Sequence, residues 1–477
     1  MSRSRPFLVP LIVACALFME NLDATVIATA LPAIADSFGE NPVHLNLAIS
    51  CYLLSLAVFV PVSGWVADRV GARTVFRLAI LVFIVGSVLC GLSGSLAELV
   101  LARILQGAGG AMMVPVGRLV LLRSVSKSEL IRAMAWLTIP ALTGPVLGPP
   151  LGGFIVTYVD WQWIFWINVP IGLVGIVLVT IFIPEITSER PPRLDIPGFL
   201  LVALALSGLV FGFETVGRGI VPGWASAALL AVGLACALLF LRHARRAEAP
   251  AVDLGLLDLP TFRASMAGGF LFRVGIGALP FLLPMLLQIG FGLSPLESGL
   301  LTFAGAVGAI FMKLLAGPIL RRFGFRRVLI GNALLCGAFV ASYGLFRPDT
   351  PVPVILAALF VGGVFRSLQF TSLNALGYAD VPERLMSRAT SFASMAQQLS
   401  LAVGVGVGAL ALHVATGLAG SAMPGPADFT PAFLLVGLIA MLSALPSRRL
   451  PAEAGAEIAG RTAIGAAAAR RSAEPAE

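Results

Sequence analysis

Apolar runs of about 20 residues, separated by short polar turns, recur along the whole chain, and each is long enough to cross a hydrocarbon layer about 30 Å thick. The pattern predicts spans over 7–31, 46–66, 75–94, 98–120, 133–157, 163–183, 197–216, 224–242, 264–288, 298–319, 328–346, 353–375, 390–414 and 431–446. Twelve or thirteen spans compete with this count of fourteen. Alternate loops are rich in arginine: Arg69, Arg73 and Arg77; Arg123, Lys127 and Arg132; Arg190 and Arg193; Arg242, Arg245 and Arg246; Arg321, Arg322, Arg326 and Arg327; Arg384 and Arg388. The opposite loops offer little beyond Arg218 and Arg347. Because basic loops stay cytoplasmic, and Arg3, Arg5, Arg448 and Arg449 mark the two ends, both termini are expected in the cytoplasm. An even number of spans follows.

Composition agrees with this pattern. Of 477 residues, 58% are hydrophobic and 12% charged, where a soluble protein would carry about a quarter charged. The net charge of +8 is spread over loops between apolar segments and forms no soluble basic face, which argues against nucleic acid. Cys15, Cys51, Cys90, Cys236 and Cys336 all fall within apolar segments without a CxxC pair, and read as small buried hydrophobes. His44, His243 and His413 are far apart in sequence, so no metal site is expected. The first apolar run is too long for a secretory signal and is interrupted by acids, so it reads as an uncleaved helix. Trp161, Trp163 and Trp166 read as an interfacial aromatic belt, and the tail beyond Arg448 as flexible or transiently helical.

Those interrupting acids are Glu20 and Asp23. A carboxylate in hydrocarbon is costly and marks a functional site by default. Their spacing of three puts both on one helix face, where they sense each other's charge. The chain also repeats itself. Gly64-Trp65-Val66-Ala67-Asp68-Arg69-Val70-Gly71-Ala72-Arg73 links spans two and three; Gly317-Pro318-Ile319-Leu320-Arg321-Arg322-Phe323-Gly324-Phe325-Arg326 links spans ten and eleven. Both read as glycine, a charged turn, glycine and arginine, and the glycines are expected to let helix ends approach closely. Duplicated bundles of this kind build alternating-access transporters. The expected plan is an all-α polytopic membrane protein: a six-helix bundle over 1–196, two inserted helices over 197–246, a second six-helix bundle over 247–446, and a cytoplasmic tail over 447–477.

At these residues the chain resembles the major facilitator superfamily, and within it the fourteen-helix drug:proton antiporters of the EmrB/QacA type. The Gly64–Arg73 loop, with Asp68, Arg69 and Gly71, looks like the superfamily's signature loop, departing from it at Ala72; the second copy, with Gly317 and Gly324, has Arg321 where the first has Asp68. Leu22-Asp23-Ala24-Thr25-Val26-Ile27-Ala28-Thr29-Ala30-Leu31-Pro32 resembles the first-helix motif, with Ala28 where asparagine is usual. The run from Arg103 through Gln106 to Ala111 resembles the fourth-helix motif linked to proton coupling. The run from Gly144 and Pro145 through Gly148 to Gly152 and Gly153 resembles the fifth-helix antiporter motif, and Trp161 to Pro170 the opening of the sixth helix. The fifth-helix motif also reads simply as close packing with a proline kink.

Helix rise gives a separate reason to join Asp23 to Arg103. Asp23 stands roughly 24 Å above the cytoplasmic edge, and Arg103 about 6 Å below the outer edge of a core about 30 Å thick, so their depths coincide. A proton on Asp23 or Glu20 would then compete with a substrate, cationic ones above all, and the alternative is a fixed Glu20–Arg103 ion pair. Gln106, Arg273 and Arg366 are candidates for the substrate cavity; the two arginines could equally bind helix carbonyls. Lys313 is expected to snorkel, Glu214 to lie at the membrane interface, and Asn374, Gln397 and Gln398 to line the cavity or join helices. An ATP-driven pump is excluded, because Lys127 and Lys313 are the only lysines and neither follows glycine. No nucleophile or metal constellation suggests an enzyme. The resemblance implies a proton-driven exporter of small lipophilic compounds in a bacterial cytoplasmic membrane, working without cofactor or nucleic acid and as a monomer. A proton-coupled carrier of a specific metabolite is the alternative, since a fold does not set direction.

Overall fold

The computed structural model describes residues 8–124, 130–183, 185, 195–216, 221–247, 250–382, 385–421, 423–451 and 453–456; for residues 8, 118–119, 122–124, 130–142, 145 and 387 it describes the backbone alone. Among these residues there is no strand. Fourteen helical passes follow in order: α1 (Leu8–Phe38), α2 (Asn46–Val70), α3 (Ala72–Leu92), α4 (Leu96–Ser124), α5 (Leu130–Tyr158), α6 (Trp163–Phe182), α7 (Ile196–Thr215), α8 (Gly223–Ala244), α9 (Pro260–Gly290), α10 (Pro295–Phe323), α11 (Phe325–Leu345), α12 (Val352–Gly377), α13 (Met386–Leu418) and α14 (Pro426–Arg448). Thirteen are long and apolar enough among the described residues to cross a membrane, and α5 is 29 residues long with an apolar second half. Most extend several residues beyond the predicted spans, because polar residues near the ends cap or continue a helix that hydropathy alone stops counting. Arg3, Arg5, Lys127, Arg190, Arg193, Arg218 and Arg384 lie outside the described residues, as does most of the tail; Arg123 and Arg132 are described as backbone only.

Helix ends follow their local chemistry. Ser294 accepts the Glu297 amide and Glu297 returns to the Ser294 amide, closing a capping box ahead of Pro295 at the start of α10. Single glycines join α2 to α3 and α10 to α11: Gly71 has φ +104° and Gly324 φ +78°, which L side chains adopt only under strain. The outer glycines of the two repeat loops behave differently from expectation. A Cβ on Gly64 would meet nothing, and one on Gly317 only the tip of Arg321. The tight turn therefore rests on Gly71 and Gly324 alone. Irregular backbone interrupts α6, which turns at Ile167, α14, which breaks at Ser443, and α9, which carries Pro280 and Pro284 and closes in a π turn over Leu286–Gly290.

The end of the molecule where α1 begins is here the near end, and the opposite one the far end. In the first half α1 packs on α5, and α4 on α2 and α3; in the second α10 packs on α12, α11 on α14 and α9 on α13. The halves meet along α5–α10 and α2–α13. Glycine makes the first seam possible: a Cβ on Gly153 would strike the backbone of Pro295 and Leu296, and one on Gly299 the Pro149 carbonyl. Two hydrogen bonds cross between halves at this far end, Leu296 N to Thr157 Oγ1 at 3.2 Å and Gln288 Nε2 to the Thr29 carbonyl at 3.0 Å. The two halves are held together at the far end.

The inserted pair packs as α7 on α8, with α7 touching α2 and α13, while α8 exposes apolar residues such as Leu234 and Leu238. At the near end Asp195 ties the pair together. It accepts the Gly198 amide as the α7 cap, the Ala251 amide and the His243 ring at the end of α8. Burial pushes the Asp195 carboxyl up, but these donors outweigh it and hold the group below its ordinary 3.8. A carboxyl depressed by folding stabilises the fold above its unfolded value and loses that contribution as pH falls through the folded one. Protection of the Gly198 and Ala251 amides from hydrogen exchange should therefore fall as pH drops below about 4, and Asp195→Asn should flatten that dependence. Thermal melts should separate the repeat glycines as well: Gly71→Ala should cost about 1–3 kcal/mol and Gly64→Ala less than about 0.5 kcal/mol.

Candidate functional site

Asp23 and Arg103, which sequence depth alone put at one level, meet inside the first half. Arg103 Nη1 donates to Asp23 Oδ2 at 2.6 Å, and both side chains are buried. Asp23 lies about 22 Å along the 31-residue α1, near the helix midpoint, and a bare charge within an apolar span costs about 3 kcal/mol. The pair is closed off by amides. Gln106 and Asn168 each donate to Asp23 Oδ1 at 2.8 Å, and both also reach Ser87 Oγ, at 2.8 and 3.3 Å. Arg103 also donates from Nη1 to Gln106 Oε1 at 2.6 Å and from Nε to the Ala48 carbonyl at 3.1 Å, and lays its guanidinium over the Tyr52 ring at 4.2 Å; its Nη2 has no hydrogen-bond partner among the described residues. Five helices thus converge on one carboxylate: α1, α2, α3, α4 and α6.

The local sequence explains how such polar side chains reach one another. A Cβ on Gly86 of α3 would collide with the Gln106 backbone, one on Gly109 with Phe83 and Ala79, and one on Gly107 with Ser55 and the Tyr52 carbonyl. The glycines of the fourth-helix motif therefore press α4 against α2 and α3, so that short side chains such as Ser87 can touch Gln106. The fifth-helix glycines do the same for α1. Positions Gly144, Gly148 and Gly152 face Asn21, Thr25 and Thr29 in turn, one per helical turn. Pro145 lies among the residues described as backbone only.

Several expected assignments change. Gln106 is no cavity residue; it is fully buried, and its amide is used up inside the Asp23 network. Glu20 is also buried, one turn before Asp23 on α1. Arg103 takes Asp23 as an ion-pair partner. Glu214 is not interfacial: it is 1% exposed and accepts Asn46 Nδ2 at 3.0 Å. Trp161 is packed in the core against Phe38 and Phe165, leaving Trp163 as the half-exposed member of the trio. Ser87, Asn168 and Tyr52 were not assigned from sequence. Their only signal is a lone polar group in an apolar helix, which does not say what it faces.

In the second half Arg273 of α9 is 1% exposed, bonds Asn374 Oδ1 at 2.8 Å and stands 5.2 Å from the Phe370 ring. It makes no ion pair among the described residues, and its Nε has no hydrogen-bond partner there. Arg366, half-buried on α12, lies beside Gly305 of α10. Asn374 joins helices, whereas Gln397 and Gln398 are half-buried on α13, and Lys313 is exposed. At the near end Asp68 is half-buried, and Arg69 is exposed with its guanidinium 5.4 Å from the Trp65 ring. Glu185 reaches the first turn of α3, where Thr74 Oγ1 donates at 2.7 Å and the Arg73 amide at 3.2 Å, with Arg73 Nε at 3.4 Å. Burial pushes the Glu185 carboxyl up, yet the Thr74 and Arg73 donors hold it below the usual carboxylate range. Its oxygen occupies the space a Gly71 side chain would need, a second reason for glycine there. No cluster of metal-binding side chains occurs among the described residues.

A family model described as Major Facilitator Superfamily matches residues 13–405 and, overlapping them, 265–472. The protein named "Putative multidrug resistance protein MdtD" from Salmonella paratyphi A is 42% identical over 405 residues, covering 84% of this chain and 85% of that protein. Its counterpart in Salmonella heidelberg has the same identity and coverage. Among solved structures, a D-xylose–proton symporter superposes with TM-score 0.68 at 16% identity, covering 94% of this chain and 99% of that one. A bacterial homologue of the human lysosomal transporter Spinster gives TM-score 0.65 at 16% identity, covering 93% and 98%. At such identity these structures speak to the fold alone.

The buried pair sets a stability expectation. Arg103→Ala should leave Asp23 without its counter-charge and cost about 3–5 kcal/mol, while the double variant Asp23→Leu/Arg103→Leu should recover much of that loss. Thermal melts of the purified variants in one detergent give the cycle.

Proposed function

We propose that this chain, which belongs to the Major Facilitator Superfamily, is a proton-driven exporter of small lipophilic compounds. The observation that carries the reading is the Asp23 site. A single buried carboxylate takes donors from Arg103, Gln106 and Asn168, all within the first half, so its charge state sets how tightly α1, α4 and α6 are held together. A proton arriving at Asp23 competes with Arg103 for it. Protonation would remove the charge that holds α4 to α1 and leave Arg103 on the Ala48 carbonyl and the Tyr52 ring. A substrate bound between the halves enters the same balance, with the proton and the substrate favouring opposite arrangements. A membrane potential adds about 2.3 kcal/mol per charge per 100 mV, enough to drive accumulation. The name of the 42% identical relative supports export of drugs over uptake.

In this reading the near end, which carries Arg69, Arg73, Arg245, Arg246, Arg321 and Arg322, faces the cytoplasm, and the far end faces outward. The six-plus-two-plus-six division at 196, 246 and 446 is the working domain plan, with both termini cytoplasmic in a bacterial inner membrane and a monomer as the transporting unit. One observation favours a second reading. A buried arginine without a carboxylate, Arg273, suits a metabolite carrying an acidic group, which the same fold could move with protons.

Expression in cells stripped of their own efflux pumps should raise tolerance to lipophilic cations such as ethidium. Asp23→Asn should abolish that tolerance at unchanged membrane levels of protein; full efflux by the variant would remove Asp23 from the mechanism. Arg273→Gln should leave cation efflux within about twofold, whereas proton-linked movement of an acidic metabolite in inverted vesicles, lost in that variant, would favour the second reading.

A further inference from the structure

The inserted helices carry a buried acid that the Asp23 site does not use. Glu214 sits on α7 one residue before its far end, fully enclosed, with Oε2 accepting Asn46 Nδ2 on α2 of the first half. On the other side it abuts Gly406 of α13 in the second half: a Cβ there would come within 2.9 Å of Glu214 Oε1 and 3.1 Å of its Cγ. The side chain therefore fills the place where α7 meets both members of the α2–α13 seam. Two residues beyond Asn46, the Ala48 carbonyl accepts Arg103 Nε at 3.1 Å. The first turn of α2 is gripped from one side by the Arg103–Asp23 pair and from the other by Glu214.

We propose that Glu214 is a second proton-binding site, whose loading and release accompany movement of the α2–α13 seam and which is coupled to Asp23 through the first turn of α2. The inference rests on the reading that buried carboxylates of this transporter exchange protons. A carboxylate enclosed in an apolar seam is stable as an ion only while its donors stay in place, and seam opening moves Asn46, which donates from the first half, relative to Gly406 of the second half, which packs against the same side chain. The surrounding titratable and charged groups are few. They are Cys51 and, behind it, Arg103, both within electrostatic reach across α2; the Glu40–His44 pair in the turn before α2; and His413, two turns beyond Gly406 on α13. On α8 the Ser226 hydroxyl lies 2.9 Å from that of Thr215, the residue after Glu214. The inserted pair thus brings a titratable group to a seam that the two six-helix halves would otherwise close with apolar and amide side chains.

The test needs neither substrate nor gradient, so its failure is distinct from failure of the export reading. Nitroxides at Ala97→Cys and Asp349→Cys, exposed far-end positions in opposite halves, are placed in the full-length protein with Cys15 and Cys236 replaced by alanine. Electron–electron distances are measured in lipid nanodiscs from pH 5 to 9. The far-end distance should change in two pH steps: Asp23→Asn should remove one, Glu214→Gln the other, and Glu214→Asp should keep both. A single step in the parent protein, or a Glu214→Gln titration that coincides with the parent, overturns the proposal. Should Glu214→Gln fail to reach the membrane, Asn46→Ala keeps the acid but removes its donor and must displace the second step. An unmoved step overturns it equally.

Discussion

The guanidinium of Arg103 cannot be left bare in the middle of an apolar bundle, and most of the first half is arranged around that constraint. The counter-charge comes from α1, an amide oxygen from α4 itself, and a carbonyl and an aromatic face from α2, while Asn168 of α6 donates to the counter-charge. These contacts form only when α1, α2 and α6 stand within side-chain reach of one another and of α4. Packing and electrostatics are therefore not separable here, because the same contacts that close the core also pair the charges.

Glycine supplies the closeness. On α5, Gly152 admits Thr29 and Val26 of α1, while its neighbour Gly153 admits Pro295 and Leu296 of α10. One helix thereby holds its own half together and forms the seam to the other half with consecutive residues. A motif associated with antiporters is, in physical terms, a two-sided contact surface with no side chains to spare. Small backbone-to-backbone contacts of this kind can slide or part without unpacking a large hydrophobic core, which suits halves that rock against each other.

Helix α2 is the element through which these layers communicate. Its first turn touches the Arg103 network and Glu214, its body packs on α13, and its last residue leads through Gly71 into the Glu185-capped start of α3. The inserted helices are asymmetric in the same sense: α8 leaves apolar side chains exposed, whereas α7 delivers its one acid inward to the α2–α13 seam. Their place in the molecule is a lateral buttress on that seam.

The sequence alone determined the all-helical membrane class, the fourteen passes, the family and the level of Asp23 relative to Arg103. These follow from span length, basic-loop alternation, quoted motifs and a fixed rise per residue, all of which are local or one-dimensional quantities. Rotation about each helix axis is not local, since every face of these helices is apolar. Only the tertiary structure decided that Gln106 faces Asp23 and not a cavity, that Ser87 and Asn168 complete the site, and that Glu214 turns inward to Asn46. It also moved the burden of the repeat loop from Gly64 to Gly71, because a positive φ and the distant carboxylate of Glu185 are visible only once the chain has folded.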